Sequence, residues 1–378
     1  MHIAGGLYRE VCLRPAWNGL FGSGGRAALA VAGLSPGPTL HSYIEEHGLA
    51  DLDIYRDHGI HLNLVSRKSV IAFAYFHPLS TPHREPRDPE RCHPIEVRGE
   101  TVLRFGFVEG EAIVSAERAI FDPQGWLDPL GFYANGSTAD ELALVLNEPE
   151  LRRLSGGLPT DEAARNLIRK RQANIVVIKR GIRGATVLDE ALDIHNVPAF
   201  KSPRVFKIGT GDVFSALFSF YWGEQRRNPA QAARDASMGV AHYAATKQLP
   251  AKEPARDCRA VGDRATGPVH VIGAMDTIGR YYTFEEALFR LRELGIDARP
   301  HFDAPANQEP AAILILTDGM TDELLQFALE VHRGSPVVVL DEDQARCRVH
   351  DKDIRDVVYD FTTALYHVAW AACGSKKA

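Results

Sequence analysis

Between Val205 and Phe214 the chain reads Val-Phe-Lys-Ile-Gly-Thr-Gly-Asp-Val-Phe and then enters an apolar helical stretch, Ser215–Trp222. Glycines just before a helix leave backbone N–H groups free to face an anion, and the helix N-terminus adds a favourable partial charge. A phosphate fits such a place. Asp212, directly after Gly211, is then positioned to take a proton from an attacking hydroxyl. The amides of Gly209, Thr210 and Gly211 meanwhile stabilise charge growing on a transferred phosphoryl group. The competing reading is structural: Gly209 and Gly211 make a tight turn and Asp212 caps the helix. Local spacing does not separate the two.

The hydrophobic pattern that must position these groups alternates short β-like runs with longer helical ones, which predicts an α/β fold with a mainly parallel sheet. Ile113 to Phe121, Ile175 to Ile178, Ala185 to Leu188, Val269 to Ile272, Ile313 to Leu316 and Pro336 to Leu340 read as strands. Apolar residues recur at helical spacing in Ala139–Leu146, Glu162–Arg171, Gly211–Trp222, Ala230–Thr246, Phe284–Leu294, Thr321–Val331 and Ile354–Ala371. Leu249 to Pro268 is rich in charge, Pro, Ala and Gly without an apolar stripe, and reads as an interdomain segment. The expected division is a domain over 1–250, a linker over 251–267 and a smaller α/β domain over 268–378. Thr81–Arg91 reads as a solvated loop, and the aromatics Phe214, Phe218, Phe220, Tyr221 and Trp222 as the packing face of a helix.

Composition narrows the function. The chain has 378 residues, 45% hydrophobic and 24% charged, with Lys+Arg 43 against Asp+Glu 49 and a formal net charge of -6. It lacks the basic excess of a nucleic-acid binder, so no nucleic-acid partner is expected. Cys12, Cys92, Cys258, Cys347 and Cys373 are odd in number and scattered, without a C-x-x-C pair, which predicts reduced thiols in a cytoplasm. The fifteen histidines lack metal-site spacing. No run approaches the ~18 apolar residues of a membrane span, so no membrane partner is expected either.

With these motifs in order, the chain over about residues 1–250 resembles the ribokinase-like, or PfkB, carbohydrate and nucleoside kinases. Gly209-Thr210-Gly211-Asp212-Val213-Phe214 is similar to the end of that family's D-T-x-G-A-G-D-x-F stretch, with Phe206 and Lys207 departing at its first two positions. Gly24-Gly25-Arg26-Ala27-Ala28-Leu29-Ala30 resembles the N-terminal double-glycine motif beside the substrate, with Leu29 near the place of its usual Asn. Asn147-Glu148-Pro149-Glu150 resembles the N-x-x-E motif, whose amide and carboxylate help place magnesium and phosphates, though a helix cap explains the same spacing.

Lys179-Arg180-Gly181-Ile182-Arg183-Gly184-Ala185 resembles the hairpin that lies against the nucleotide, with Lys179 where Thr is usual. Glu10 stands for the acid that grips substrate hydroxyls, commonly Asp, and Asp122-Pro123 follows a strand as in the family. The resemblance implies a mainly parallel sheet flanked by helices with a small β lid, and ATP and Mg²⁺ as cofactors. It implies Asp212 as base, Gly209, Thr210 and Gly211 as anion hole, and Glu10, Gly24 and Gly25 at the substrate. Lys179, Gly181, Gly184 and Lys207 would lie at the nucleotide, and Asn147 and Glu150 near the metal. Ile60–Ala74 alternates enough to lend lid strands, which pair within one subunit or, in a homodimer, between two.

The second, Rossmann-like domain places Asp318, Asp322 and Glu323 just past a strand, where open α/β sheets bind ligands. Gly273-Ala274 and Gly334-Ser335-Pro336-Val337 resemble the nucleoside 2-deoxyribosyltransferase superfamily, which implies Glu323 as nucleophile at an anomeric carbon with Asp276 or Asp318 orienting substrate. Asp322 and Glu323 equally suit a helix N-terminus through its dipole. The resulting expectation is an ATP- and Mg-dependent phosphotransferase acting on a sugar or nucleoside hydroxyl. The alternatives are cleavage or exchange of an N-glycosidic bond by the second domain, with the first only binding nucleotide, and a nucleotide sensor without turnover.

Overall fold

The computed structural model describes residues 1–125, 131–252, 258–303, 309–331, 334–344 and 354–374. They form two compact units: Met1–Arg180 with Gly184–Val197 and Lys207–Asp257, and Gly181–Arg183 with Pro198–Phe206 and Cys258–Ala378. The chain therefore leaves the first unit twice before its C-terminal third, and re-enters it at Lys207, just ahead of the glycine motif.

The first unit is built on a nine-stranded sheet. Its strands are β1 (His2–Ala4), β4 (Thr39–Ile44), β5 (His61–Ser66), β8 (Ile95–Phe105), β9 (Ala112–Asp122), β10 (Thr138–Asn147), β11 (Ile175–Lys179), β12 (Ala185–Leu188) and β13 (Ile194–Val197). β2 (Arg9–Cys12), β3 (Trp17–Leu20), β6 (Ala72–Tyr75) and β7 (His83–Glu85) make a separate four-stranded sheet in the order β3-β2-β6-β7. The large sheet runs β13-β12-β11-β10-β9-β8-β1-β4-β5, parallel except at β11–β12 and β12–β13. Its helices are α1 (Gly22–Val31), α2 (Asp53–Asp57), α3 (Glu148–Leu154), α4 (Thr160–Arg169), α5 (Thr210–Phe218) and α6 (Pro229–Thr246). A mixed α/β fold with a large, mostly parallel sheet is thus what the strand and helix periods anticipated.

Three local expectations for the first unit fail, each for a physical reason. Ala139–Leu146 is strand, not helix: Leu142 to Leu146 are buried between β9 and β11, and a parallel strand covered on both faces shows no period of two. Of Ile60–Ala74, the first half pairs residue for residue with β4 as the edge of the large sheet, and only the last residues enter the small one. Within Thr81–Arg91, His83–Glu85 pairs with β6 as that sheet's edge, where charged residues are at home. The aromatic run does pack: Phe214, Phe218 and Trp222 stack one turn apart, with ring centroids 6.4 and 5.9 Å apart, all three buried.

The second unit carries a parallel five-stranded sheet, β14 (Val269–Gly273), β15 (Ala298–Pro300), β16 (Ala312–Leu316), β17 (Val337–Leu340) and β18 (Ile354–Val358), ordered β15-β14-β16-β17-β18. α7 (Ile278–Glu293), α8 (Asp322–Val331) and α9 (Phe361–Cys373) belong to it. The segment expected as one helix from Ile354 is strand followed by helix, because Asp360 caps α9 by accepting from Thr363 N at 2.9 Å. Of the interdomain stretch, 253–257 lie outside the described residues, whereas Ala260 pairs with Phe200 inside the second unit. Cys12, Cys92, Cys258 and Cys373 are free thiols, and Cys347 lies outside the described residues.

Candidate functional site

α5 begins where its sequence permits. Gly209 takes a left-handed conformation, φ 73°, and accepts the Val213 N–H at 3.0 Å to open the first turn. A Cβ there would stand 2.0 Å from Arg26 Nε, so glycine is needed for both backbone and packing. Asp212, in that first turn, does not cap it. Its carboxylate accepts from Gln124 Nε2 at 2.8 Å and from Arg26 Nη1 at 3.0 Å.

Arg26 joins residues distant in the chain. It sits on α1, all ten of whose residues are buried, and is itself 1% exposed. Its Nη1 donates to Glu10 Oε1 at 2.9 Å, its Nη2 to Glu10 Oε2, and its Nε to Tyr243 Oη at 3.1 Å, while Tyr243 donates to the Ile208 carbonyl at 3.0 Å. Burial works against the guanidinium charge, but Glu10, Tyr243 and Asp212 outweigh it and hold Arg26 well above its ordinary value. Glu10, on β2, and Asp212, on α5, are thereby brought to one cation. Gly24 and Gly25 serve close packing: a Cβ on Gly24 would lie 2.4 Å from Gly5 O, and one on Gly25 2.4 Å from Tyr55 Oη.

A second cluster lies at the ends of β9 and β11. Asp122 is wholly buried, and its Oδ2 accepts from Lys179 Nζ at 2.5 Å and from Ser215 Oγ of α5 at 2.7 Å. Burial pushes its carboxyl up to about 6 against the pull of Lys179, with Glu150 adding to the rise. Lys179 is drawn down by burial and up by Asp122 and Glu150, with a net rise. Lys207, partly exposed, donates to Thr210 Oγ1 at 2.9 Å and is lowered by burial and by Lys179. Gly181 and Gly184, φ 57° and 82°, shape the β11–β12 connection, which Arg180 N closes onto Gly184 O at 2.7 Å.

Asn147 and Glu150 form a reciprocal cap on α3: Asn147 Oδ1 accepts from Glu150 N and Glu150 Oε2 from Asn147 N, both at 2.8 Å. The cation facing Asp122 and Glu150 is already present as Lys179. Among the described residues no cluster of three or more His, Cys, Asp or Glu could hold a metal ion. Asp122 Oδ1, buried and without a partner beside Lys179, is an acceptor that suits a cation or a hydrogen-bond donor and not a phosphate.

In the second unit the sheet order reverses between β14 and β16, and the loops after these strands meet. Arg280 Nη1 donates to both Asp276 oxygens at 2.9 Å, and Arg280 reaches Asp318 twice at 3.3 Å. Asp276 and Asp318 are 65% and 71% exposed. Glu323 is the second residue of α8, is exposed, and makes no hydrogen bond with these three; its own N–H and Thr321 hold it below its ordinary value.

The sequence reading missed Arg26, Gln124 and Tyr243. Arg26 had a signal: one charge inside Ser-Gly-Gly-Arg-Ala-Ala-Leu-Ala-Val must be paired if the helix is buried. Gln124 and Tyr243 carried none.

No protein-family model matches the chain and no curated protein matches it. Solved structures similar to it are ribokinase-family kinases. Ribokinase from Thermotoga maritima is 19% identical, covering 66% of this chain and 95% of that one with a TM-score of 0.47. Ribokinase from Giardia lamblia is 14% identical, over 65% and 94%, TM-score 0.49. A nucleoside kinase from Burkholderia thailandensis in complex with inosine is 16% identical, over 65% and 91%, TM-score 0.48. At such identities none of this chain's chemistry follows from theirs. Among the described residues no helix is long and apolar enough to cross a membrane.

Proposed function

We propose that the first unit is a phosphotransferase of the ribokinase type, moving the γ-phosphoryl group of ATP to a hydroxyl of a sugar or nucleoside. One observation carries this reading: Asp212, in the first turn of a glycine-led helix, shares Arg26 with Glu10 of the small sheet. A base in an anion-binding helix terminus and a hydroxyl-gripping acid from a separate strand meet there on one arginine.

The acceptor hydroxyl gives its proton to Asp212 as its oxygen bonds to the γ-phosphorus. The bond from that phosphorus to the β-phosphate oxygen breaks and ADP leaves. Glu10 accepts hydrogen bonds from the acceptor, and amides at the start of α5 face the charge developing on the phosphoryl oxygens. Magnesium, carried in on the nucleotide phosphates, would supply further neutralisation there. Arg26 holds Asp212 until an acceptor hydroxyl competes for it.

The test is a panel of pentoses, hexoses and nucleosides with Mg-ATP, following acceptor-dependent ADP. Asp212→Asn should lower turnover by about 10²–10⁴-fold while leaving nucleotide binding within a fewfold, since one proton acceptor is lost and no donor contact is. Near-normal turnover in that variant removes Asp212 from the reaction. Base release without ADP would instead move the chemistry to the second unit and Glu323.

A further inference from the structure

Three arginines among the described residues are buried: Arg26, Arg67 and Arg104. Arg26 holds Glu10 and Asp212, and Arg67 holds Glu45 and Glu109. Arg104, 8% exposed near the end of β8, has no carboxylate within ion-pair distance among the described residues. Burial draws its guanidinium down to about 10, and Glu111 offsets only part of that. A buried charge without a partner is costly, and it points to a missing counter-ion.

The acceptors that Arg104 does have all lie at one nitrogen. Nη1 donates to the Phe132 carbonyl at 3.1 Å, to Asn135 Oδ1 at 3.3 Å and to Ser137 Oγ at 3.1 Å. Nε is buried with no partner, and Nη2 donates to nothing among the described residues. Asn135 is not free to serve them: its Nδ2 donates to Glu111 Oε2 at 3.0 Å and to the Ala112 carbonyl at 2.9 Å. The rings of Phe121 and Phe132, with centroids 4.7 and 5.6 Å from Arg104 Cζ, offer no acceptor atom. An orphaned buried donor marks a missing polar neighbour, and on a cation that neighbour is an anion.

The Nε–H and one Nη2–H of a guanidinium are parallel donors that match the two oxygens of a carboxylate. Charge selects a single negative group: one cation is present, and Glu111 stands behind Asn135, so the second charge of a phosphate would go unneutralised. The edge is recessed, so the acid must be slim. We propose that Arg104 anchors a binding site for a small monocarboxylate, gripped by Nε and Nη2. This site stands apart from the chemistry at α5. Arg104 and Phe121 share one face of the large sheet, whereas Asp122, next along β9, faces the other and meets Ser215 of α5. It does not depend on the kinase reading.

The probe is acetate, titrated calorimetrically into the full chain at neutral pH and constant ionic strength, with inorganic phosphate in a parallel titration. Acetate should bind to a single site at least about tenfold more tightly than phosphate. Arg104→Lys keeps the charge and a donor for the Phe132–Ser137 turn but has no fork, so it should weaken acetate by about tenfold or more. Arg104→Met should abolish binding, and is read only after its circular dichroism matches wild type. Lys207→Met, at α5, should leave acetate affinity within about twofold, because the two positions share no partner. Acetate bound equally well by Arg104→Lys and wild type, or lost in Lys207→Met, overturns the site. Phosphate bound as tightly as acetate overturns it too, as does binding of neither.

Discussion

Arg26 and Arg280 are each held between two carboxylates, Glu10 and Asp212 for the one, Asp276 and Asp318 for the other. The donor geometry is alike and the solvent is not. Arg26 is 1% exposed with Glu10 at 5%, whereas Asp276 and Asp318 are 65% and 71% exposed. In water such pairs gain little, because Coulomb energy is screened and two long side chains lose freedom. Once buried, the same pairing becomes obligatory, because removing one member strands an uncompensated charge. Acid-and-arginine clusters therefore differ in what they do: the buried one fixes the geometry of its members, and the exposed one decorates a loop.

The comparison breaks most readily at Arg26. Arg26→Met leaves Glu10 buried without its cation and should cost about 3–5 kcal/mol in urea denaturation. The double variant Arg26→Met, Glu10→Gln should regain a large part, since the charge left behind is gone. A single variant that unfolds at the wild-type midpoint would show that burial does not distinguish the two clusters.

That network was only half legible in the sequence. Asp212 and Glu10 were found because their types and positions resemble a known pattern. Arg26, which joins them, was passed over as part of a glycine motif, although a lone charge in an apolar helix signals a buried pair. The strand at Thr138–Asn147 was misread because a strand covered on both faces is continuously apolar, as a buried helix is. β11, β12, β16 and β17 are buried on both faces too, but as runs of four or five residues they are too short for a helix and were legible as strands, whereas Thr138–Asn147 is ten residues long. Gln124 reaches Asp212 from a turn of left-handed backbone, φ 57°, which no local pattern announces. The grouping of Pro198–Phe206 with the second unit was equally invisible, since it depends on partners such as Thr363, far along the chain.

A smaller effect sharpens the same contrast through pH. Asp122 is pushed up from 3.8 to about 6, so the folded chain holds its proton more tightly than the unfolded one. Its favourable contribution is complete below about pH 4 and is lost as pH rises through about 6. Wild-type stability relative to Asp122→Asn should therefore fall by about 2 kcal/mol over that window. Other carboxylates titrate there too, but they do so in both proteins and cancel in the difference. A difference independent of pH would mean that Lys179 offsets the burial of Asp122 in full.

The smallest effect belongs to Arg280. Arg280→Ala removes both pairs with Asp276 and Asp318, yet each carboxylate it leaves is already surrounded by water, so the denaturation midpoint should stay at the wild-type value in low and high salt alike. A midpoint that falls as far as that of Arg26→Met would mean that these charges are shielded from water in the working protein. The loops after β14 and β16, where the sheet order reverses, would then be as strong a place to look for chemistry as the first turn of α5.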